Sequence, residues 1–122
     1  MKKKVYGLSE VRSTAPMPAP KLDYAPPCPR RYRPKIALIG CGGIAAYHLR
    51  NYRAMGLEVE ALCDLNGSRA QERAKEFYPE AFVTTDYRAA LAQEDIEIVD
   101  VATHPAERFP VIRAALQARK HV

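Results

Sequence analysis

A chain of 122 residues that is 48% hydrophobic has material for one domain and one core. No run approaches the roughly 18 apolar residues of a membrane span, and the basic start MKKKVYGLSEV lacks the apolar stretch of a secretory signal, so a cytosolic protein with no membrane partner is expected. The net charge of +5 is unevenly placed: residues 1–35 carry nine Lys and Arg against two acids and residues 36–122 ten against twelve, so the globular part is slightly acidic and does not read as a nucleic-acid-binding surface.

Seven of the ten prolines fall between Pro16 and Pro34. Proline fixes φ and removes an amide donor, so this stretch cannot form a helix or an inner strand. Residues 1–34 are therefore expected to be a basic, proline-rich arm, either disordered or lying along a surface or a partner subunit, with no catalytic part. The three cysteines, Cys28, Cys41 and Cys63, are odd in number and lack metal-ligand spacing, so neither a disulfide framework nor a metal site is expected.

From Lys35 the pattern changes. KIALI is a short apolar run ending in glycine and reads as a buried strand. Residues 44–55 read as a helix, with Ile44, His48, Asn51, Tyr52 and Met55 recurring at helical spacing. Residues 57–64 alternate apolar and acidic before ending apolar, a second strand. Residues 67–77 read as a helix with Asn66 or Ser68 as cap and Ala70, Ala74 and Phe77 as apolar positions; Pro79 stops it. AFVTT is a short third strand, and Asp86 is placed to cap a helix over DYRAALAQ. Residues 96–103 are the most strand-like run. A last helix is expected from about Glu107, with Pro110 in its first turn, and His121-Val122 begins a further run.

Strand and helix alternate four times, which predicts an α/β fold of the Rossmann type: a doubly wound parallel sheet covered on both faces. Gly40, Gly42 and Ala45 fit G-x-G-x-x-G/A between a strand and a helix, the context that gives this pattern meaning. Gly40 permits a tight turn, Gly42 lets a pyrophosphate approach the backbone, and Ala45 keeps the helix close to the sheet. The amides of Gly43, Ile44 and Ala45 would then face the phosphates. Asp64, at the end of the second strand, is placed to accept the adenine-ribose hydroxyls. Its charge favours NAD over NADP, a preference weakened by Arg69 five residues on. Thr103, His104 and Pro105 follow the fourth strand and should face the cofactor. His48 reads as a packing or surface residue.

These residues resemble the N-terminal half of the glucose-fructose oxidoreductase / inositol dehydrogenase (Gfo/Idh/MocA) family. The matching pieces are KIALIGCGGIAAYHL, CDLNGSRAQERAKEF, TDYRAAL and IEIVDVATHPAERFPVIRAALQARKHV, which run almost continuously over residues 35–122. The resemblance implies an NAD(P)-dependent oxidoreductase acting on a sugar, cyclitol or similar polyol, homo-oligomeric when complete. It implies that Gly40, Gly42, Gly43, Ile44 and Ala45 hold the diphosphate, Asp64 and Arg69 the adenosine end, and Thr103, His104 and Pro105 the nicotinamide side. Two positions depart from the family pattern. Thr103-His104-Pro105 stands where Thr-Pro-Asn is common, with Arg108 at a histidine position, and Arg119 stands where a helix-ending glycine is usual.

The family's catalytic lysine motif and substrate domain would follow Val122, so no catalytic residue is expected within the chain. It reads as a dinucleotide-binding domain interrupted at the start of its fifth strand. On that reading the fourth strand becomes an exposed apolar edge, and the isolated chain is expected to be marginally stable and to self-associate. A non-catalytic dinucleotide sensor and a Rossmann-like fold without a ligand are the competing readings.

Overall fold

The computed structural model describes residues 17–24 and 27–122. The rest of the expected arm, residues 1–16 and 25–26, lies outside the described residues. Residues 17–24 and 27–34 carry no helix or strand. The last of them are tied down: Arg33 Nη1 donates to the carbonyls of Met55 and Gly56 at 3.1 Å each, and Tyr32 donates to Glu97 at 3.0 Å.

Four strands and four helices alternate: β1 (Lys35–Ile39), α1 (Gly43–Ala54), β2 (Glu58–Cys63), α2 (Gly67–Phe77), β3 (Phe82–Thr84), α3 (Tyr87–Leu91), β4 (Ile96–Val101) and α4 (Pro105–Gln117). The strands are parallel in the order β3-β2-β1-β4, with β1 paired on both edges. Ile39 is level with Cys63 on one side and Val101 on the other, so three strands end together. The chain winds outward from β1 through β2 to β3, then crosses back to the far side of β1. That reversal opens a crevice beyond the strand ends.

Strand alternation builds the two halves of the core. Ile36 and Leu38 point to one face, where they meet Ala45 and Leu49 of α1 and Ala70, Ala74 and Phe77 of α2. Ala37 and Ile39 point to the other, against Ala90 and Leu91 of α3 and Val111 and Ala115 of α4. The sheet is therefore covered on both faces.

Three details differ from the sequence reading. The buried side of α1 is Ala45 and Leu49, with Ile44 55% exposed. The small Ala45 lets the helix sit directly on β1, which rotates Ile44 outward. Helix α4 begins at Pro105, so Pro105 is the first-turn proline and Pro110 lies one turn further in. The carbonyl of Ala106, which Pro110 cannot satisfy, belongs to a solvent-exposed residue, so the lost bond does not leave a buried polar group. The outer edge of β4 is also not bare: Val99 donates to His121 and His121 to Glu97, both at 2.8 Å, the first link of a parallel pairing.

Candidate functional site

A cavity of about 700 Å³ opens at the carboxyl ends of the strands, within the range of ligand sites. Its wall takes Gly40 and Gly42 from the turn after β1, Asp64, Leu65 and Asn66 from the turn after β2 with Arg69 from α2, Thr85 from the β3–α3 connection with Tyr87 at the start of α3, and Thr103 and His104 from the β4–α4 connection with Glu107 and Pro110 of α4.

The glycines of the turn are there for different reasons. Gly40 has φ +101°, and a Cβ on it would stand 2.7 Å from the carbonyl carbon and oxygen of Ala102 and 2.9 Å from the amide of Thr103. The turn therefore leans on the backbone of the β4–α4 connection, and only glycine fits between them. Gly42 and Gly43 have open space where a Cβ would be. Their missing side chains keep the mouth of the turn clear.

Beneath that opening, α1 starts at N-cap Gly42 with no side-chain cap and no acid in its first turn. The first amides of a helix have no intrahelical partner, so those of Gly43, Ile44 and Ala45 are left as donors at the positive end of the helix dipole. By contrast, α2 and α3 are capped by the side chains of Asn66 and Asp86. Helix α4 also lacks a side-chain cap, at His104, and carries Glu107 in its first turn.

Asp64 is 10% exposed at its side chain. Its Oδ2 accepts the amide of Cys41 at 2.8 Å and its Oδ1 the amide of Asn66 at 2.8 Å. Arg69 Nη1 stands 3.7 Å from Oδ2. A carboxylate has about four acceptor sites, so each oxygen keeps capacity for one further donor. On the other wall, Thr103 Oγ1 is buried with no partner among the described residues, and Arg108 Nε holds the Thr103 carbonyl at 2.9 Å. Open space above two glycines, uncapped helix amides, a carboxylate with spare acceptors and an orphaned hydroxyl fit a diphosphate flanked by ribose.

The structure thus gathers Gly40, Gly42, Asp64, Arg69, Thr103 and His104 around one cavity. Gly43, Ile44 and Ala45 are not in its wall: they follow Gly42 along α1, with Ile44 exposed and Ala45 buried in the core. Pro105 is not in the wall. His48 lies elsewhere, its Nδ1 2.7 Å from Asp100, which also accepts from Tyr52 at 2.8 Å. Sequence reasoning passed over Leu65, Thr85, Tyr87, Glu107 and Pro110. The signal for Leu65 and Thr85 was their place just past a strand end in an alternating chain.

The thiols beside the cavity are held in the protonated form. Burial, then the charge of Asp64, pushes Cys41 up to about 12, and burial pushes Cys63 up to about 11. Cys41 Sγ instead rests on the Cys63 carbonyl at 3.5 Å. No cluster of three metal-ligating side chains occurs among the described residues. No helix among them is long and apolar enough to cross a membrane.

Comparison with known proteins agrees with this geometry. Residues 34–122 match the Gfo/Idh/MocA model, described as an oxidoreductase family with an NAD-binding Rossmann fold. Inositol 2-dehydrogenase of Salmonella typhimurium is 33% identical over 90 residues, covering 72% of this chain and 27% of that protein. D-apiose dehydrogenase of Paraburkholderia graminis is 36% identical over 85 residues, covering 69% and 22%. Among solved structures, myo-inositol dehydrogenase from Lactobacillus casei in complex with NAD(H) and myo-inositol superposes with a TM-score of 0.69 at 25% identity, over 73% of this chain and 27% of that one. A 3-ketoreductase from Actinomadura kijaniata in complex with NADP gives 0.68 at 28% identity, over 75% and 29%. The chain thus spans about a quarter of the length of the curated relatives it matches. Strand order, glycine turn and family model converge, and the chain belongs to the Gfo/Idh/MocA oxidoreductase family as its NAD-binding Rossmann fold.

Proposed function

We propose that the cavity binds a nicotinamide dinucleotide, and that the chain is the cofactor half of an oxidoreductase passing hydride between the nicotinamide and an alcohol carbon of a sugar or polyol. One observation carries this: Gly42, the N-cap of an α1 with no side-chain cap, has open space where a side chain would stand and shares its cavity with the Asp64 carboxylate. In this reading the amides of Gly43, Ile44 and Ala45 hold the diphosphate, and the spare acceptors of Asp64 take the adenine-ribose hydroxyls. Leu65 and Tyr87 form the apolar wall at the adenine end. Thr103 and His104 line the nicotinamide side, where the buried Thr103 hydroxyl gains a partner. The relatives named for inositol and apiose chemistry support the substrate class.

A carboxylate at the ribose repels a 2′-phosphate, so NAD is the preferred cofactor, with NADP admitted more weakly through Arg69. Calorimetric titration of the chain with NAD and NADP tests this. Asp64→Ala is expected to weaken NAD by about tenfold and to narrow its lead over NADP. Unchanged NAD affinity would remove Asp64 from the site, and no NAD binding by the unmodified chain would refute the proposal.

A further inference from the structure

The Asp64 carboxylate does more in this fold than face a ribose. Its Oδ2 accepts the amide of Cys41, which lies inside the glycine turn between Gly40 and Gly42, and its Oδ1 accepts the amide of Asn66, whose own side chain caps α2. Gly40 donates to the Cys63 carbonyl at 2.7 Å beside it. One side chain therefore spans the turn after β1 and the turn after β2. It also withdraws the Cys41 amide from the donors that face the cavity.

We infer that Asp64 is a positioning residue for the diphosphate turn, holding it in register with the adenosine end before any ligand arrives. This rests on the dinucleotide reading and deepens it. A second acceptor is essential to the geometry. Asparagine offers one carbonyl oxygen where the carboxylate offers two, so Asp64→Asn can keep the bond to Cys41 or to Asn66 but turns an NH2 group toward the other amide.

Charge and position make opposite predictions, which permits a clean test. Inorganic pyrophosphate has no ribose and carries negative charge. Removing Asp64 removes a repelling charge and frees Arg69, which stands 3.7 Å from it. Electrostatics alone therefore predicts tighter pyrophosphate binding by Asp64→Ala. A positioning role predicts weaker binding, because the turn that presents the amides loses its tie.

The experiment measures pyrophosphate affinity of the full 122-residue chain and of its Asp64→Ala and Asp64→Asn variants. Amide hydrogen exchange of the ligand-free proteins is read alongside by NMR. Pyrophosphate is expected to bind about tenfold more weakly to Asp64→Ala. The Cys41 amide should exchange at least about tenfold faster there, while the Ala37 and Leu38 amides within β1 keep their protection. In Asp64→Asn, one of the Cys41 and Asn66 amides should stay protected and the other lose protection. Unchanged or tighter pyrophosphate binding, or Cys41 exchange equal to the unmodified chain, would overturn the inference. The exchange measurement in the unmodified chain stands apart from ligand binding: an unprotected Cys41 amide there refutes the positioning role even if NAD binds. A protected one upholds the tie even if NAD does not bind.

Discussion

Gly40→Ala is the sharpest perturbation of this fold. At φ +101° an L side chain is strained by about 1–2 kcal/mol. The new methyl would also sit 2.7 Å from the Ala102 carbonyl, a backbone contact that cannot rotate away. Moving the β4–α4 connection to accommodate it costs a further 1–3 kcal/mol or so. The sum is about 2–5 kcal/mol, against a stability of roughly 0.05–0.15 kcal/mol per residue for a domain of this kind. In a domain this small, each kcal/mol moves the melting temperature by about 4–8 °C. Circular-dichroism melts should therefore place Gly40→Ala at least about 8 °C below the unmodified chain. Gly42→Ala is the control: its φ is −71° and its methyl meets nothing within 4 Å. It should melt within about 2 °C of the unmodified chain while losing dinucleotide affinity, because the methyl fills the mouth of the turn. A Gly40→Ala protein that melts like the unmodified chain yet fails to bind NAD would refute the reasoning and make Gly40 a ligand contact alone.

Arg119 sits at φ +58° and closes a Schellman motif, its amide bonded to Leu116 and that of Lys120 to Ala115, both at 3.0 Å. Arg119→Gly should raise stability by about 1 kcal/mol in urea denaturation, and a loss would mean the arginine side chain carries more than its backbone strain costs. Asn66→Ala removes the cap of α2 and should cost about 1 kcal/mol, read as a lower urea midpoint with an unchanged slope. The raised thiols give a pH dependence. Above the ordinary 9.0, the unfolded chain releases protons from Cys41 and Cys63 that the folded chain keeps up to about 12 and about 11. Stability is thus full below pH 9 and falls as pH rises toward 11–12. Cys41→Ala should flatten that fall, and an unaltered profile would contradict it. At neutral pH a maleimide should label the exposed Cys28 and spare Cys41 and Cys63 until the chain unfolds.

Much of this was legible beforehand because the signals are local. KIALI announces a buried strand by being apolar on both faces, Asn66 and Asp86 announce helix starts, and alternation fixes the class of fold. The acid at position 64 could be paired with the glycines because both lie just past strand ends. What was not legible depends on pieces distant in sequence. The outward turn of Ile44 follows from Ala45 seating α1 on β1, which periodicity alone does not rank above its neighbours. The second reason for Gly40 is the carbonyl of Ala102, brought there only by sheet order. Leu65, Thr85 and Tyr87 join the cavity through the same convergence. The bonds from Asp64 to the amides of Cys41 and Asn66 come from the three-dimensional meeting of two turns, which a sequence does not display.

The central place of β1 has a consequence for how the chain is made. One edge of β1 is taken by β2, which follows directly, but the other waits for β4, which comes two strands and three helices later in the chain. Until then Ile36, Ala37, Leu38 and Ile39 present an apolar strand with one row of free backbone groups, a template for pairing with another nascent chain. Closing the β1–β4 pair joins segments far apart in sequence, a slow step by loop entropy. How long that edge of β1 stays open during folding is thus set by the topology of the sheet.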